Sequence, residues 1–184
     1  MVRLAVTSAT LLAATMAQAA CNGPAVNQAT INLIAEFEGF VPTVYNDAAG
    51  NPTVGYGHLC QQAGCSEVPY SIPLSEADGK SLLASDVITP QNCITSQTAS
   101  IVVLNANQYG ALVSWAYNVG CGNSASSSLI ARLNNGEDPN TVIASELPLW
   151  NKSGGQVLDG LTRRRAAEVS LAQTATSVPA LPAC

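Results

Sequence analysis

The chain has 184 residues, 47% of them hydrophobic and 10% charged, with a formal net charge of −5, the composition of a compact globular protein of about one ordinary domain. Loss of Arg3 with the leader described below leaves six basic against twelve acidic residues, a net charge of −6. Such a balance excludes nucleic acid and anionic membrane surfaces as partners, because both require clustered positive charge.

Residues 1–19 read as a secretory signal: a basic start at Arg3, an apolar stretch from Leu4 to Ala14, and small residues at Ala17 and Ala19 before a cut. Residues 20–184 are then a single mature domain, expected to be secreted and monomeric, with no membrane segment. The leader is short for a span of roughly 20 apolar residues. Six cysteines follow it, and an even number in an exported chain reads as three disulfides. Of fifteen formal pairings, Cys60 with Cys65 closes a local loop and Cys21 with Cys184 ties the termini, which leaves Cys93 with Cys121. A zinc site is disfavoured, since there is no Cys-x-x-Cys pair and His58 is the only histidine.

In chain order, residues 27–38 predict a helix with Leu33, Phe37 and Phe40 on one face, Gly39 as its stop and Glu38 in its last turn. Residues 43–59 carry β-branched and aromatic residues around an AAGNP turn, the pattern of a hairpin or small sheet. Ser75 and Asp78 form a capping-box pattern for a helix running to about Ile88, before Pro90. Asn105 and Gln108 open another, in which Leu112, Trp115, Ala116 and Val119 share a face and Gly120 ends the run; this is the expected central core helix. Further helices are expected at 124–134, at 139–147 behind Asp138 and Pro139, and at 159–172. The fold class is α+β, mostly helical, with one small antiparallel sheet.

Glycosidic cleavage needs an acid for the leaving oxygen and a second carboxylate to assist water or stabilise positive charge. Glu38, between Phe37 and Phe40, has an apolar setting of the kind that raises a carboxyl pKa. Asp47, beside Asn46 and the turn, has a polar one, and Thr53 returns along the second strand toward it. Taken singly, these residues also read as a helix-end acid, a turn former and a strand residue.

The segment EGFVPTVYNDAAGNPTVGYGH resembles the active-site segment of the phage-type lysozymes, glycoside hydrolase family 24: Glu38, eight residues, Asp47, five residues, Thr53, then Gly55-Tyr56-Gly57-His58. SWAYNVGCG and WNKSGGQVLDGLTRRRAAE resemble that family's central helix end and closing segment, so the likeness spans roughly residues 27–172. The resemblance implies a lysozyme-like fold, a small sheet lobe beside a helical lobe with a cleft between. It implies a cofactor-free muramidase acting on bacterial peptidoglycan with Glu38 as general acid and Asp47 and Thr53 positioning water. It also implies inversion, hence carboxyl groups about 6.5–9.5 Å apart.

Tyr56 is a candidate sugar contact or a packed strand residue, and Asn118 a substrate contact or a helix cap. His58 reads as hydrogen-bonded structure, Arg163–Arg165 as divided between solvent and Glu168, and Trp115 and Trp150 as core. The QQAGCSEVPYSIP insertion is expected to shape a cleft edge. Competing readings are an endolysin that keeps its N-terminal signal and a secreted glycan-binding module without activity.

Overall fold

The computed structural model describes residues 22–47 and 49–183; the leader over 1–19 and the Cys21–Cys184 pairing lie outside the described residues. The chain runs α1 (Gln28–Glu38), β1 (Val41–Asn46), β2 (Pro52–Gly55), β3 (His58–Leu59), α2 (Glu76–Asp86), α3 (Ile88–Gln97), β4 (Leu104–Asn105) and α4 (Ala106–Val119). It continues through α5 (Cys121–Ala125), α6 (Ser128–Asn134), α7 (Pro139–Glu146), β5 (Lys152–Ser153), β6 (Gln156–Val157), α8 (Asp159–Gln173) and β7 (Pro179–Leu181).

α1 begins where Asn27 accepts from the Thr30 N–H and ends at Gly39, whose φ of 75° few other residues adopt. The buried face is not the expected one. Ile31, Ile34 and Ala35 are in the core, while Leu33 and Phe37 are half-buried, because the Phe37 ring lies 5.8 Å beneath the Arg164 guanidinium.

α2 starts at Ser75 as its capping pattern predicts, but Pro90 ends nothing. A second helix, α3, begins at Ile88 with Pro90 in its first turn, where a missing N–H costs no hydrogen bond. α4 carries the full capping box between Asn105 and Gln108 and closes at Gly120 (φ 83°). Leu112 and Trp115 are fully buried and Ala116 1% exposed, with Val119 half-buried. α7 is capped by Asp138 with Pro139 at its first position, and the region from 124 splits into α5 and α6 across Ser126–Ser127.

In place of one sheet, the described residues form three, all antiparallel: β1-β2-β3, β4-β7 and β5-β6. The two extra pairs are two to three residues per strand, too short to leave a period-two signal. The main core gathers Ile34, Tyr109, Leu112, Trp115, Leu129 and Leu147 around α4. A second, smaller core of Val54, Cys65, Val68, Leu74 and Leu82 lies under the first sheet, so the insertion after Cys60 supplies packing for that sheet. Trp115 meets Trp150 edge to face at 5.2 Å.

Cys60–Cys65 and Cys93–Cys121 are disulfide-bonded. The second joins α3 to α5 across 28 residues. Replacing Cys93 and Cys121 together by serine is expected to lower unfolding free energy by about 2–4 kcal/mol, read from the denaturant midpoint; an unchanged midpoint would count against this role.

Candidate active site

Glu38, the last residue of α1, has a side chain 25% exposed at the edge of a cavity of about 630 Å³. The other walls include Phe37, Asn118 from the last turn of α4, and Leu161, Arg163 and Arg164 from α8. The surroundings of Glu38 are not the apolar pocket expected from Phe37 and Phe40. Arg164 Nη1 donates to Glu38 Oε1 at 2.7 Å, an ion pair between residues 126 apart in sequence that no local pattern announces.

Arg164 is itself part of a buried cluster. Its Nε donates to Glu168 at 3.3 Å and its Nη2 to the Ser114 carbonyl. Ser114 Oγ donates to the same Glu168 at 2.7 Å, and Arg165 lies 3.1 Å from the other carboxylate oxygen. Arg165 also donates to the Asn118 side chain. Burial pushes the Glu168 carboxyl up, and Arg165, Arg164 and Ser114 oppose it. The three arginines therefore divide: Arg163 faces solvent, while Arg164 and Arg165 turn inward.

Asp47 closes the β1–β2 hairpin by entirely local bonds. Its Oδ1 accepts from the Ala49 and Asn51 N–H groups at 2.9 and 2.8 Å, and its Oδ2 from the Asn51 amide at 3.3 Å. The Asn51 N–H above all holds the Asp47 carboxyl below the usual aspartate range. Thr53, 4% exposed, pairs across the strands with Tyr45, and its hydroxyl donates to the Asn51 carbonyl at 3.0 Å. Its link to Asp47 thus runs through Asn51, which sequence reasoning overlooked as an ordinary turn residue.

The turn between β2 and β3 packs against the helices. A Cβ added to Gly57 (φ 87°) would lie 3.9 Å from both Glu38 Oε2 and the Tyr117 hydroxyl, and Tyr117 donates to the Tyr56 carbonyl at 3.3 Å. Burial, with Glu38 and Asp86 nearby, pushes the Tyr117 phenol up. His58 is held on both sides, by Asp86 from α2 at 2.9 Å on Nδ1 and by Glu67 at 3.4 Å on Nε2. Burial pushes Asp86 up, against the pull of His58, whereas the Gln61 N–H holds Glu67 down.

Tyr56 is 6% exposed with its ring 5.1 Å from Phe40. Of the two roles read for it, the packed one is what its surroundings show. Asn118 is exposed on the cavity wall and bonded to Arg165.

An acid at a helix end, a three-stranded hairpin sheet folded against it and a cleft toward the last long helix define the lysozyme-like class. The muramidase domain of SpmX from Asticaccaulis excentricus superposes with a TM-score of 0.67 at 28% identity, covering 82% of this chain and 98% of that one. A lysozyme variant of phage P22 does so at 0.69 and 29%, covering 80% and 97%. The family described as Phage lysozyme matches residues 35–168, and the chain belongs to that family. It is 38% identical over 153 residues to the endolysin of Bacillus phage PZA, covering 82% of this chain and 56% of that one. It is 33% identical over 121 residues to the endolysin of Salmonella phage P22, covering 66% and 80%. The chain spans about half the length of the Bacillus phage PZA and B103 endolysins.

Two outcomes are expected. Arg164→Met strands the Glu168 and Glu38 carboxylates and costs about 3–5 kcal/mol of stability, whereas Arg163→Met, on the exposed side of the same helix, changes it by less than about 0.5 kcal/mol; equal effects in denaturant titrations would refute the division. In a carboxyl-carbon NMR titration, Asp47 titrates below and Asp86 above the usual aspartate value of about 3.9. The depressed Asp47 contributes stability that is present above that value and lost as pH falls through its folded pKa. The raised Asp86 acts oppositely, its ionisation opposing the fold as pH rises.

Proposed function

We propose that residues 20–184 form one secreted muramidase domain that cleaves the β-1,4 bonds between N-acetylmuramic acid and N-acetylglucosamine in bacterial peptidoglycan. The observation that carries this reading is the Glu38 carboxylate, fixed by Arg164 at the edge of the cleft, with the β2–β3 turn of the first sheet packed beside it at Gly57. Membership of the phage lysozyme family supports the same chemistry.

In this mechanism Glu38 protonates the leaving glycosidic oxygen. Arg164 engages Oε1, so Oε2, on the Gly57 side, is the oxygen that carries the proton. Asp47, kept ionised by the turn N–H groups, takes a proton from the attacking water on the opposite face of the sugar. Thr53 and Asn51 hold the end of the hairpin that presents it. Attack by water from that face inverts the anomeric centre and requires no cofactor. The two disulfides among the described residues suit an oxidising exterior, and the leader over 1–19 provides the route out.

A second reading, an endolysin that keeps its N-terminal signal, draws on the curated relatives, among them the SAR-endolysin of bacteriophage PS119 at 33% identity over 124 residues. Intact mass of the exported protein separates the two, since cleavage before Ala20 excludes a retained signal.

Glu38→Gln should lower the rate of clearing of a peptidoglycan suspension by about 10²–10⁴-fold while leaving the fold intact. Asp47→Asn and Thr53→Ala should give smaller but clear losses. Substantial clearing by Glu38→Gln would remove Glu38 from the acid role. Proton NMR of the first product should show the α-anomer at N-acetylmuramic acid; initial β-anomer would mean retention.

A further inference from the structure

The loop that follows β3 gathers donor atoms that the catalytic reading does not use. Cys60, Cys65 and Glu67 place their sulfur and carboxylate oxygen atoms within 4.8 Å of one another. His58 adds a fourth donor, since its Nε2 lies 3.4 Å from Glu67 Oε1. All four fall within ten residues, in the order His-x-Cys-x4-Cys-x-Glu. Want of a Cys-x-x-Cys pair disfavoured zinc in the sequence, yet a gap of four residues is also within the spacing that zinc loops use.

The geometry around His58 and Glu67 is that of ligands more than of a hydrogen-bonded pair. At 3.4 Å, Nε2 and Oε1 stand beyond the usual N–H···O range of roughly 2.7–3.2 Å. Two ligands at about 2.0–2.1 Å from a tetrahedral zinc are themselves about 3.4 Å apart. Asp86 accepts from the His58 Nδ1–H at 2.9 Å, which leaves the Nε2 lone pair directed at Glu67. The Gln61 and Gln62 N–H groups donate to the two Glu67 oxygens at 2.7 and 3.1 Å. A carboxylate on the far nitrogen of the imidazole, and donors behind the ligating carboxylate, are the outer contacts that orient zinc ligands.

In the structure Cys60 and Cys65 are bonded to each other, and a bonded sulfur is not the thiolate that binds zinc. We propose that this loop is a zinc site in the reduced chain: His58 Nε2, the Cys60 and Cys65 thiolates and one Glu67 oxygen bind Zn²⁺ tetrahedrally, so that metal and disulfide are alternative closures of the same loop. A dithiol reductant passes two electrons and two protons to the disulfide and leaves as its own cyclic disulfide; Zn²⁺ then displaces the two thiol protons to solvent. Cys60 and Glu67 are half-buried and residues 61–64 exposed, which gives the ion a path, while Cys65, 2% exposed, anchors the loop in the smaller core. The role of the metal is structural. It keeps Glu67 tied to His58, and with it β3 docked on α2, where thiols persist, as the disulfide does in an oxidising exterior.

The test uses the mature chain reduced without oxygen by a water-soluble phosphine, which takes an oxygen atom from water as it reduces each disulfide and does not sequester zinc as a dithiol does. After loading with zinc and gel filtration, the reduced native chain should retain about one zinc, and so should Cys93→Ser/Cys121→Ser. Cys60→Ser/Cys65→Ser and the oxidised native protein should retain none. Cobalt(II) in the same site should show a thiolate charge-transfer band and the intense visible bands of four-coordination. Asp86→Asn, which removes the orienting carboxylate but no ligand, should weaken zinc binding by about 10–100-fold. Zinc should also raise the denaturant midpoint of the reduced native chain and not that of Cys60→Ser/Cys65→Ser, which ties the binding to the folded loop. No retained zinc, retention undiminished in Cys60→Ser/Cys65→Ser, or equal retention by the oxidised protein would overturn the proposal.

Discussion

Arg164 stands where three helices meet, and the arrangement of the cleft depends on it. From α8 it reaches the Glu38 carboxylate at the end of α1, the Ser114 carbonyl on α4 and Glu168 one turn along its own helix. Removing a guanidinium and a carboxylate this completely from water costs several kcal/mol per ion. The site compensates by multiplying partners: Glu168, fully buried, is shared by Arg164, Arg165 and Ser114. The result fixes relative helix positions more than it adds stability, since Arg165 Nε and Nη1 and Glu168 Oε2 stay buried without a hydrogen bond.

Glu38 and Asp47 are held in contrasting ways. Glu38 owes its place to a long-range ion pair and to the helix that ends beneath it. Asp47 owes its place to N–H groups two and four residues away, within a hairpin that would form the same turn wherever it was docked. The distance between them is therefore set by how the first sheet packs on α1, α2 and α4. That packing runs through the close approach at Gly57, the Tyr117 bond to the Tyr56 carbonyl and the His58–Asp86 contact. His58 and Asp86 bridge β3 and α2, so the lone histidine serves to dock the sheet. The loop closed by Cys60–Cys65 completes this support through Glu67, which ties the Gln61 and Gln62 N–H groups to His58.

Much of this was legible in the residues themselves. Ser75, Asn105 and Asp138 each announce a helix start by a side chain that can accept the otherwise unpaired N–H groups of the first turn, and each does so. The apolar face of α4 follows from its 3.6-residue period, and the hairpin from its turn composition. These features depend on interactions within a few residues, which a linear pattern records.

What the sequence could not settle was which partner each charged or aromatic side chain would find. Three consecutive arginines carry no mark of which faces out, and only the seating of α8 on α4 turns Arg164 and Arg165 inward and leaves Arg163 in the cleft. Phe37 looks like a core residue until Arg164 occupies its face, and Tyr56 is open to either role until Phe40 covers it. Pro90 looks like a stop until it is seen in the first turn of a new helix. The sequence by itself determined the caps, the hairpin, the family and the spacing of Glu38, Asp47 and Thr53, because all are local or nearly so. The tertiary structure alone decided the ion pair on Glu38 and the docking of the first sheet on the helices, because these join residues that are distant along the chain.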